Sequence, residues 1–398
     1  MRLARVGQAS WPVGLFCRSL LAAVFLLGSH AAEAQTIVGR RAQANMARRL
    51  DPQQGEKTLW CEVEPIRPAL NFSFRFQAGY VARVPMSQYS GSGHRWTLLS
   101  SVSAMGSGHE PVYLAERVIL PEIPKTKVVF EVAGGYVLGV GRYTVKWVMW
   151  DDQNRVCRKH WDINVKLGLR EAQVKLAMPP GVVCELSSCR GPAAQMVNED
   201  MRPVRLTVLL HAAPLFPRRP RLRAGDLVVL LGSLSSLLER LPARSVRLVV
   251  FNLDQQKEFF RRDSFTLDQL DQVAQSLANL QLGKIDYHVL QNRRGHLDLI
   301  ADLVNRELHA DEPSDAIVFL GPAARFTDKL DQSAIEKPDA FSPRFFYFQY
   351  KPYSNGNDYS DSINYAMAKL GGRTLVIHSP VEFARAIEQL QRQVLGAN

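Results

Sequence analysis

The sequence predicts two folded halves, an all-β half followed by a mostly parallel α/β half. In the first half, apolar side chains recur at every second residue, which is typical of half-buried antiparallel strands. In the second half, buried strands alternate five times with amphipathic helical segments. The expected fold class is therefore an N-terminal β-sandwich followed by a doubly wound, mostly parallel sheet with helices on both faces.

Residues 1–34 are predicted to be a signal peptide. Three arginines precede an apolar run at residues 20–27, and the small-residue sequence Ala-Glu-Ala occupies residues 32–34. That order is typical of a cleaved export signal. The apolar run is shorter than the ~20 residues that a membrane anchor needs. We expect cleavage before Gln35, no membrane span in the mature chain, and a secreted or periplasmic location.

The basic character of the chain belongs to one segment. Removing residues 1–34 takes away three arginines and one glutamate and lowers the formal net charge from +11 to +9. Residues 201–262 contain twelve Lys or Arg and four Asp or Glu. That surplus nearly accounts for the whole net charge of the mature chain.

Four cysteines remain after Cys17 leaves with the signal peptide: Cys61, Cys157, Cys184 and Cys189. An even number of cysteines in an exported chain predicts disulfides, and four cysteines permit three pairings. Cys184 and Cys189 share a short loop bounded by Pro and Gly, so a local bridge is expected there, which leaves Cys61 with Cys157. A zinc site is the alternative, but no Cys-x-x-Cys spacing supports it.

The first half is expected at residues 59–178. From Asn71 onward, alternate positions are apolar and include Phe72, Phe74 and Phe76, which predicts one half-buried strand. The same period occurs at residues 143–149 and 161–167, with the turn 151–154 between them, and 117–120 and 127–132 are further expected strands. Residues 35–58 show no regular pattern and are interpreted as a flexible segment. Residues 179–202 are interpreted as a cysteine-containing linker.

The second half is expected at residues 203–398. Buried strands are predicted at 204–210, 245–251, 315–320, 344–350 and 374–378. Capping-box sequences at Thr266 and Ser379 each lead an apolar stripe with helical spacing. Pro380 suits the first helical turn, where its missing N–H would have no partner anyway. Ligands of such sheets bind at the carboxyl ends of the strands.

The succession of elements over residues 203–396 resembles the von Willebrand factor type A domain, in particular the secreted bacterial versions that follow a β-sandwich. In that family, the first strand ends in Asp-x-Ser-x-Ser, a later loop supplies a Thr, and the fourth strand ends near a second Asp. These groups hold a divalent cation. The matching positions here are His211, Ala213, Leu215, His296 and Pro322.

None of these five positions supplies a carboxylate or a hydroxyl group. Magnesium and calcium require oxygen ligands, so the resemblance implies a degenerate metal-ion-dependent adhesion site, with no metal and no cofactor. A second hypothesis has His211 and His296 converging on zinc. Two imidazoles fall short of the three or four protein ligands of zinc sites, which favours isolated polar side chains instead.

Sheets of the α/β class also carry hydrolases, whose nucleophile lies in a Gly-x-Ser-x-Gly motif. Gly-x-Ser-x-Gly is absent, since residues 231–235 read Leu-Gly-Ser-Leu-Ser and lack the second glycine. Gly-Ser-Gly-His occurs at 91–94 and again at 106–109. These repeats are typical of glycine-containing hairpin turns, although they could also bring two Ser/His loops together. A secreted hydrolase whose site combines loops of both halves is therefore the alternative function.

The positive functional signal is residues 214–223, which follow the first strand of the second half. We call this segment the arginine loop. It contains three prolines and Arg218, Arg219, Arg221 and Arg223. Guanidinium groups suit carboxylate and phosphate partners. The expected function is a non-catalytic extracytoplasmic binding protein that recognises a protein or an anionic envelope polymer without a metal, whereas a solvated loop without a partner is the alternative. Nucleic acid is not expected, because no interleaved aromatic pattern is present.

Overall fold

The computed structural model describes residues 35–106, 108–123, 127–186, 204–216, 219, 221–278, 280, 282, 287–331, 333–336, 342–351 and 359–396. The predicted signal peptide lies outside these residues, as do Cys189 and Arg218. Within the described residues, no helix is long and apolar enough to cross a membrane.

Residues 35–186 form ten strands and one helix. The bounds are β1 (Thr36–Ile37), α1 (Arg40–Leu50), β2 (Lys57–Thr58), β3 (Glu62–Leu70), β4 (Phe76–Pro85), β5 (Arg95–Ala104), β6 (Val112–Ile119), β7 (Val129–Leu138), β8 (Gly141–Asp151), β9 (Arg155–Val165) and β10 (Val183–Glu185). A six-stranded sheet has the order β1-β6-β5-β8-β9-β2, and a four-stranded sheet has the order β10-β7-β4-β3. Neighbouring strands are antiparallel except for β2 and β9.

The two antiparallel sheets contact each other through large side chains. Trp96 and Trp147 of the six-stranded sheet share a buried cluster with Tyr80 and Val84 of the four-stranded sheet. The rings of Tyr80 and Trp147 meet edge to face with centroids 5.3 Å apart. The strict alternation along these strands therefore directs one apolar set towards the space between the sheets.

The N-terminal segment has more regular structure than its sequence pattern indicates. Helix α1 lies within residues 35–58 and covers one face of the six-stranded sheet. Its Leu50 belongs to a buried cluster with Leu99, Val148 and Val156, and Met46 packs against this cluster. Two apolar residues one helical turn apart are enough to attach a helix that is otherwise rich in arginine.

A disulfide joins Cys61, just before β3, to Cys157 in β9, which confirms that predicted pairing. The two residues are 96 positions apart in the chain. Closing a loop of this length removes conformational entropy from the unfolded chain and stabilises the fold by up to about 4 to 5 kcal/mol. Cys184 lies in β10, which pairs with β7, so the first half extends past residue 178. The pairing of Cys184 with Cys189 stays a prediction.

Residues 204–396 form the α/β half. The bounds are β11 (Val204–His211), α2 (Ala224–Arg240), β12 (Ala243–Asn252), β13 (Lys257–Arg262), α3 (Leu270–Ala278), α4 (Tyr287–Gln291), α5 (Gly295–Leu308), β14 (Ala316–Pro322), β15 (Arg344–Tyr350), α6 (Ser362–Leu370), β16 (Arg373–Ile377) and α7 (Pro380–Leu395). The sheet order is β13-β12-β11-β14-β15-β16. Only β13 is antiparallel to its neighbour in this sheet, so the predicted mixed α/β class and mostly parallel sheet are confirmed.

Helices cover both faces of the parallel sheet. Helices α2, α3 and α7 contribute to the cluster on one face, and α5 and α6 contribute to the cluster on the other. The Ser379 hydroxyl caps α7 and Pro380 stands in its first turn, as predicted. At Thr266 the predicted capping box leads a short 3-10 turn, Leu267–Gln269, which continues into α3.

The strand order reverses between β11 and β14. From β11 the chain runs outward through β12 and β13, then returns to β14 and continues in the opposite direction through β15 and β16. The loops after β11 and β14 therefore diverge to opposite faces and leave a crevice between them. Doubly wound sheets bind ligands at such a point.

The turn between β3 and β4 inserts into the second half, and this corrects the strand predicted from Asn71. Strand β4 begins only at Phe76. The Asn71 side chain accepts backbone N–H groups of Ser73 and Arg75, at 3.0 and 3.2 Å, and Phe74 has a φ of 54°. A side-chain turn of this kind competes with strand extension, so the alternating phenylalanines belong to two different environments.

Phe72 and Phe74 pack against the second half. Phe74 stacks on Phe383 of α7 with ring centroids 5.6 Å apart, and Phe72 meets Tyr350 of β15 edge to face at 5.3 Å. Phe74 is fully buried. We refer to Phe72 and Phe74 as the aromatic wedge.

Polar groups surround the wedge. The Arg240 guanidinium lies 3.5 Å from the Phe74 ring centroid, and burial lowers the pKa of Arg240 to about 10. The Phe74 carbonyl accepts the N–H of Ala177 at 3.0 Å. Arg75 Nη2 lies 3.7 Å from Glu239 Oε1. The two halves thus share one continuous core through this turn.

Replacing Phe74 with alanine is expected to cost about 3 to 5 kcal/mol and to uncouple the halves, because the wedge leaves a cavity between them. All five described tryptophans lie before residue 186, whereas six of the seven helices lie after it. Tryptophan fluorescence and far-ultraviolet circular dichroism therefore report on different halves during urea unfolding. The two transitions should coincide in the native protein and separate in Phe74→Ala.

The matched control is Leu169→Ala, since Leu169 is 99% exposed. This change should alter the free energy of unfolding by less than ~0.5 kcal/mol. Coincident, unshifted transitions in Phe74→Ala would show that the wedge does not join the halves.

Candidate functional site

A small crevice lies at the point where the strand order reverses. It is lined by the last residue of β11 and by residues that follow β11, β12 and β14: His211, Ala213, Pro214, Leu253, Asp254, Ala323, Ala324, Arg325 and Phe326. The cavity volume is about 10 Å³, close to the space that one water molecule needs. A ligand larger than water would therefore bind at the rim.

His211 is the buried polar group of the crevice. It is 2% exposed, and its ring stacks on Phe251 with centroids 5.3 Å apart. His211 Nδ1 lies 3.1 Å from the Pro322 carbonyl oxygen. Because a carbonyl only accepts, Nδ1 carries the proton, and Nε2 is an acceptor that has no partner among the described residues. Burial lowers the pKa of His211, so the ring is neutral.

An ion pair forms another part of the crevice wall. Arg325 Nε contacts Asp254 Oδ1. The Arg325 guanidinium also lies 5.2 Å from the ring centroid of Phe326. Asp254 is the only carboxylate in the lining, and its charge is already matched by Arg325. The negative charge of Asp254 is therefore balanced by Arg325 and is not available to bind a cation.

His296, at the start of α5, packs against Phe326, which lines the crevice. Its ring stacks on Phe326 with centroids 4.1 Å apart and an interplanar angle of 14°. His296 Nε2 lies 3.1 Å from Asp328 Oδ2, but without the direction of a hydrogen bond. Burial lowers the pKa of His296 in spite of the opposing effect of Asp328. The residue is a packed, neutral support for Phe326.

Asp361 positions the loop after β14, and the sequence analysis missed it. Its fully buried Oδ2 accepts the Ala324 N–H at 2.7 Å, the Tyr347 hydroxyl at 2.9 Å and the Gln349 amide at 3.0 Å. Its Oδ1 accepts the N–H of Asn364 and so caps α6. The spacing of Asp361 and Asn364 at the start of an apolar stripe was a signal that could have revealed this cap.

The structure brings four of the five predicted metal positions together. His211 and Ala213 line the crevice, the Pro322 carbonyl accepts from His211, and His296 contacts the lining through Phe326. Leu215 lies apart and packs against the core. Among the residues that the structure describes, no group of three or more His, Cys, Asp or Glu side chains could hold a metal ion.

The arginine loop is fixed at both ends by one buried carboxylate. Asp226 Oδ1 accepts the N–H of Leu215 at 3.1 Å, and Oδ2 accepts the N–H of Arg223 at 2.8 Å. Asp226 is third in α2, where a carboxylate also complements the helix dipole. The first loop residue, Pro214, belongs to the crevice wall, so the loop and the crevice form one surface.

The loop arginines differ in their surroundings. The Arg219 guanidinium lies 4.0 Å from the Phe216 ring centroid. Arg221 and Arg223 are exposed and make no ion pair within the described part of the chain. Arg218 lies outside the described residues. Two unpaired guanidinium groups are thus available at the carboxyl edge of the sheet.

Among the described residues, the crevice wall contains an imidazole and a carboxylate but no hydroxyl or thiol. The first Gly-Ser-Gly-His repeat forms a turn in which Gly91 and Gly93 have φ values of 85° and 86°. Both ring nitrogens of His94 are engaged there, Nδ1 with Asp152 at 3.2 Å and Nε2 with the Ser90 carbonyl at 3.0 Å. In the second repeat, residue 107 lies outside the described residues.

No family model and no curated protein matches this chain. Several solved structures are similar to parts of it, and two of them illustrate the range. A variant of the superoxide reductase (neelaredoxin) from Ignicoccus hospitalis is 17% identical, covers 27% of this chain and 82% of its own, and has a TM-score of 0.20. The putative ApaA protein from Bordetella pertussis is 12% identical, covers 28% of this chain and 99% of its own, with a TM-score of 0.19. Likenesses this distant carry no argument about function.

Divalent cations are expected not to bind at this crevice. Magnesium, calcium and manganese need several oxygen ligands, and the wall offers one carboxylate that is already paired with Arg325. Calorimetric titration of the mature protein should show no saturable heat at millimolar cation. Saturable binding with one ion per chain would contradict the degenerate-site interpretation.

Proposed function

We propose that this protein is a non-catalytic, extracytoplasmic binding protein that recognises an anionic partner through the arginine loop. The observation that carries the proposal is the pair Arg221 and Arg223, which are exposed and have no acidic partner among the described residues, on a loop whose ends are held by Asp226. The partner is a protein or an envelope polymer that carries carboxylate or phosphate groups.

Preorganisation supports this assignment. A flexible loop loses conformational entropy when it binds, and this loss weakens affinity. Asp226 reduces the loss because it fixes Leu215 and Arg223 before any partner arrives. Arginine adds planar, two-pronged hydrogen bonding that matches carboxylate and phosphate oxygens. A basic loop whose ends are already fixed therefore loses less conformational entropy on binding than a flexible one.

The second half is proposed to be a von Willebrand factor type A-like domain that has lost its cation. Four of its five metal positions gather at the crevice, and the groups there are apolar or imidazole rather than hard oxygen donors. The first half is proposed to be a β-sandwich, on the basis of its two antiparallel sheets with a shared aromatic cluster. In this proposal, the arginines beside the crevice bind the partner in place of the lost metal ion.

The alternative, a hydrolase with a site formed by loops of both halves, has weaker support. Hydrolysis by covalent catalysis needs a nucleophile within hydrogen-bond reach of a base. His211 could act as a base, but the crevice wall contains no serine, threonine or cysteine. The arrangement therefore favours binding over chemistry.

Export is proposed from two features. The N-terminal sequence has the charged, apolar and small-residue regions of a cleaved signal. The Cys61–Cys157 disulfide suits an oxidising compartment, because cytosolic thiols are kept reduced. Together they favour a secreted or periplasmic protein.

Replacing Arg221 and Arg223 with serine is expected to weaken retention on immobilised polyglutamate and polyphosphate about tenfold, because two surface ion pairs of up to ~1 kcal/mol each are lost. Retention of the native protein should fall when salt rises from about 0.05 to 0.3 M, and the double variant should show a flatter dependence. Both measurements use the mature full chain. The quadruple change that adds Arg218 and Arg219 should weaken retention further.

The matched control removes two exposed arginines from α7, Arg385 and Arg392, and so changes the net charge equally. This control should keep loop-dependent retention. Equal losses in both double variants would mean that only net charge matters. A large drop in melting temperature of Arg221→Ser/Arg223→Ser would mean that the loop is structural.

A further inference from the structure

Glu116 is a buried carboxylate without a partner. It lies in β6, is 7% exposed, and makes no side-chain hydrogen bond or ion pair with any described residue. Burial raises the pKa of Glu116 to about 7. Buried carboxylates in native proteins are normally paired with a cation or with several donors. Within the described part of the chain, no positively charged group pairs with this carboxyl group.

Gln35 immediately precedes the adjacent strand, β1. In the antiparallel ladder of β1 and β6, Ile37 pairs with Leu114 and Thr36 pairs with Ala115, so the next step places Gln35 opposite Glu116. Gln35 is also 7% exposed. Its Nε2 donates to Ser100 Oγ at 3.3 Å, whereas its Oε1 has no hydrogen-bond partner. The Glu116 carboxylate and Gln35 Oε1 are thus two neighbouring acceptors that have no donor among the described residues.

Gln35 is also the residue that export is expected to expose as the new N-terminus. Hydrolysis breaks the amide bond between Ala34 and Gln35: the hydroxyl of water joins the Ala34 carbonyl carbon, and the Gln35 nitrogen gains a hydrogen. At neutral pH that nitrogen becomes an ammonium with three N–H donors and one positive charge, since an α-amino group has a pKa of about 8. This ammonium group would supply a positive charge to the Glu116 carboxylate and N–H donors to both Glu116 and Gln35 Oε1.

We propose that cleavage before Gln35 creates an α-ammonium group that pairs with Glu116 and locks β1 onto the edge of the six-stranded sheet. Processing then completes the fold of the first half. The inference depends on the predicted cleavage site, which the N-terminal mass of exported protein tests separately.

Other ionisable groups near Glu116 do not fill this role. Tyr80 faces it across the space between the sheets, but burial raises the pKa of that hydroxyl, so it is neutral. Glu185 of β10 accepts the N–H of Ile37 at 3.1 Å and is itself acidic. Neither provides a positive charge.

The test compares the mature chain that begins at Gln35 with the same chain preceded by Gly-Ser, which places the amine away from Glu116. The mature chain is expected to melt about 3 to 6 °C higher, the shift that one buried charge pair produces in a chain of this size. The difference should vanish in Glu116→Gln and persist in Glu131→Gln, because Glu131 pairs with Arg83 on the surface. Equal melting temperatures of the two chains, or an unchanged difference in Glu116→Gln, would overturn the proposal.

The pH dependence of the difference follows from the sign of the shift. Pairing raises the pKa of the amine above its unfolded value of about 8, so the amine's contribution to the added stability is lost as pH rises through the folded value. Protonation of Glu116 removes its charge, so the added stability is also lost as pH falls. A difference that stays constant from pH 7 to pH 11 contradicts the ion pair, whatever its size.

Two further measurements keep the test decisive. An N-terminal glutamine can close onto its own amine with loss of ammonia; Gln35→Ala keeps the amine, cannot close, and should retain the difference. If Glu116→Gln fails to fold, the rate of α-amine acylation at neutral pH decides instead. The amine of the folded mature chain should react at least tenfold more slowly than in denaturant, and equal rates refute the pair.

Discussion

The aromatic wedge is the contact on which the arrangement of the whole molecule depends. Phe72 and Phe74 supply aromatic contacts to Tyr350 and Phe383, and an interface that loses apolar contacts permits more relative motion. The wedge places a turn of the first half between α7 and β15 of the second, where a stacked ring and a guanidinium enclose Phe74. Asn71 makes this possible because its side chain satisfies the backbone of a turn that Phe74, at a φ of 54°, strains.

The loops at the carboxyl edge of the parallel sheet follow a similar rule, in which buried carboxylates hold loops through backbone N–H groups. Asp226 fixes the arginine loop after β11, and Asp361 fixes the loop after β14. Between them the crevice is nearly filled by His211, Phe326 and small apolar residues. Loops anchored by buried carboxylates beside a crevice of about 10 Å³ fit the proposed role in recognition.

Much of the fold could be predicted from sequence because hydrophobic period is a local signal. It located five of the six strands of the parallel sheet, and the capping residues at Thr266 and Ser379 located helix starts. The hydrophobic period did not predict β13, because the charged side chains of this edge strand interrupt the pattern. It also predicted a strand through Phe72 and Phe74, because their partners, Tyr350 and Phe383, are distant in the chain. The arginine loop was visible as composition, but the role of Asp226 depends on backbone geometry that no residue pattern reports.

The way in which Asp226 holds the arginine loop has a consequence for variation. Its two hydrogen bonds come from backbone N–H groups, which any residue except proline supplies. The side chains between Leu215 and Arg223 therefore take no part in these two hydrogen bonds. Substitutions there leave both hydrogen bonds to Asp226 in place. Under the proposed binding function, the scaffold separates stability from specificity, as an antibody framework does for its variable loops, so one fold accommodates loops of different charge.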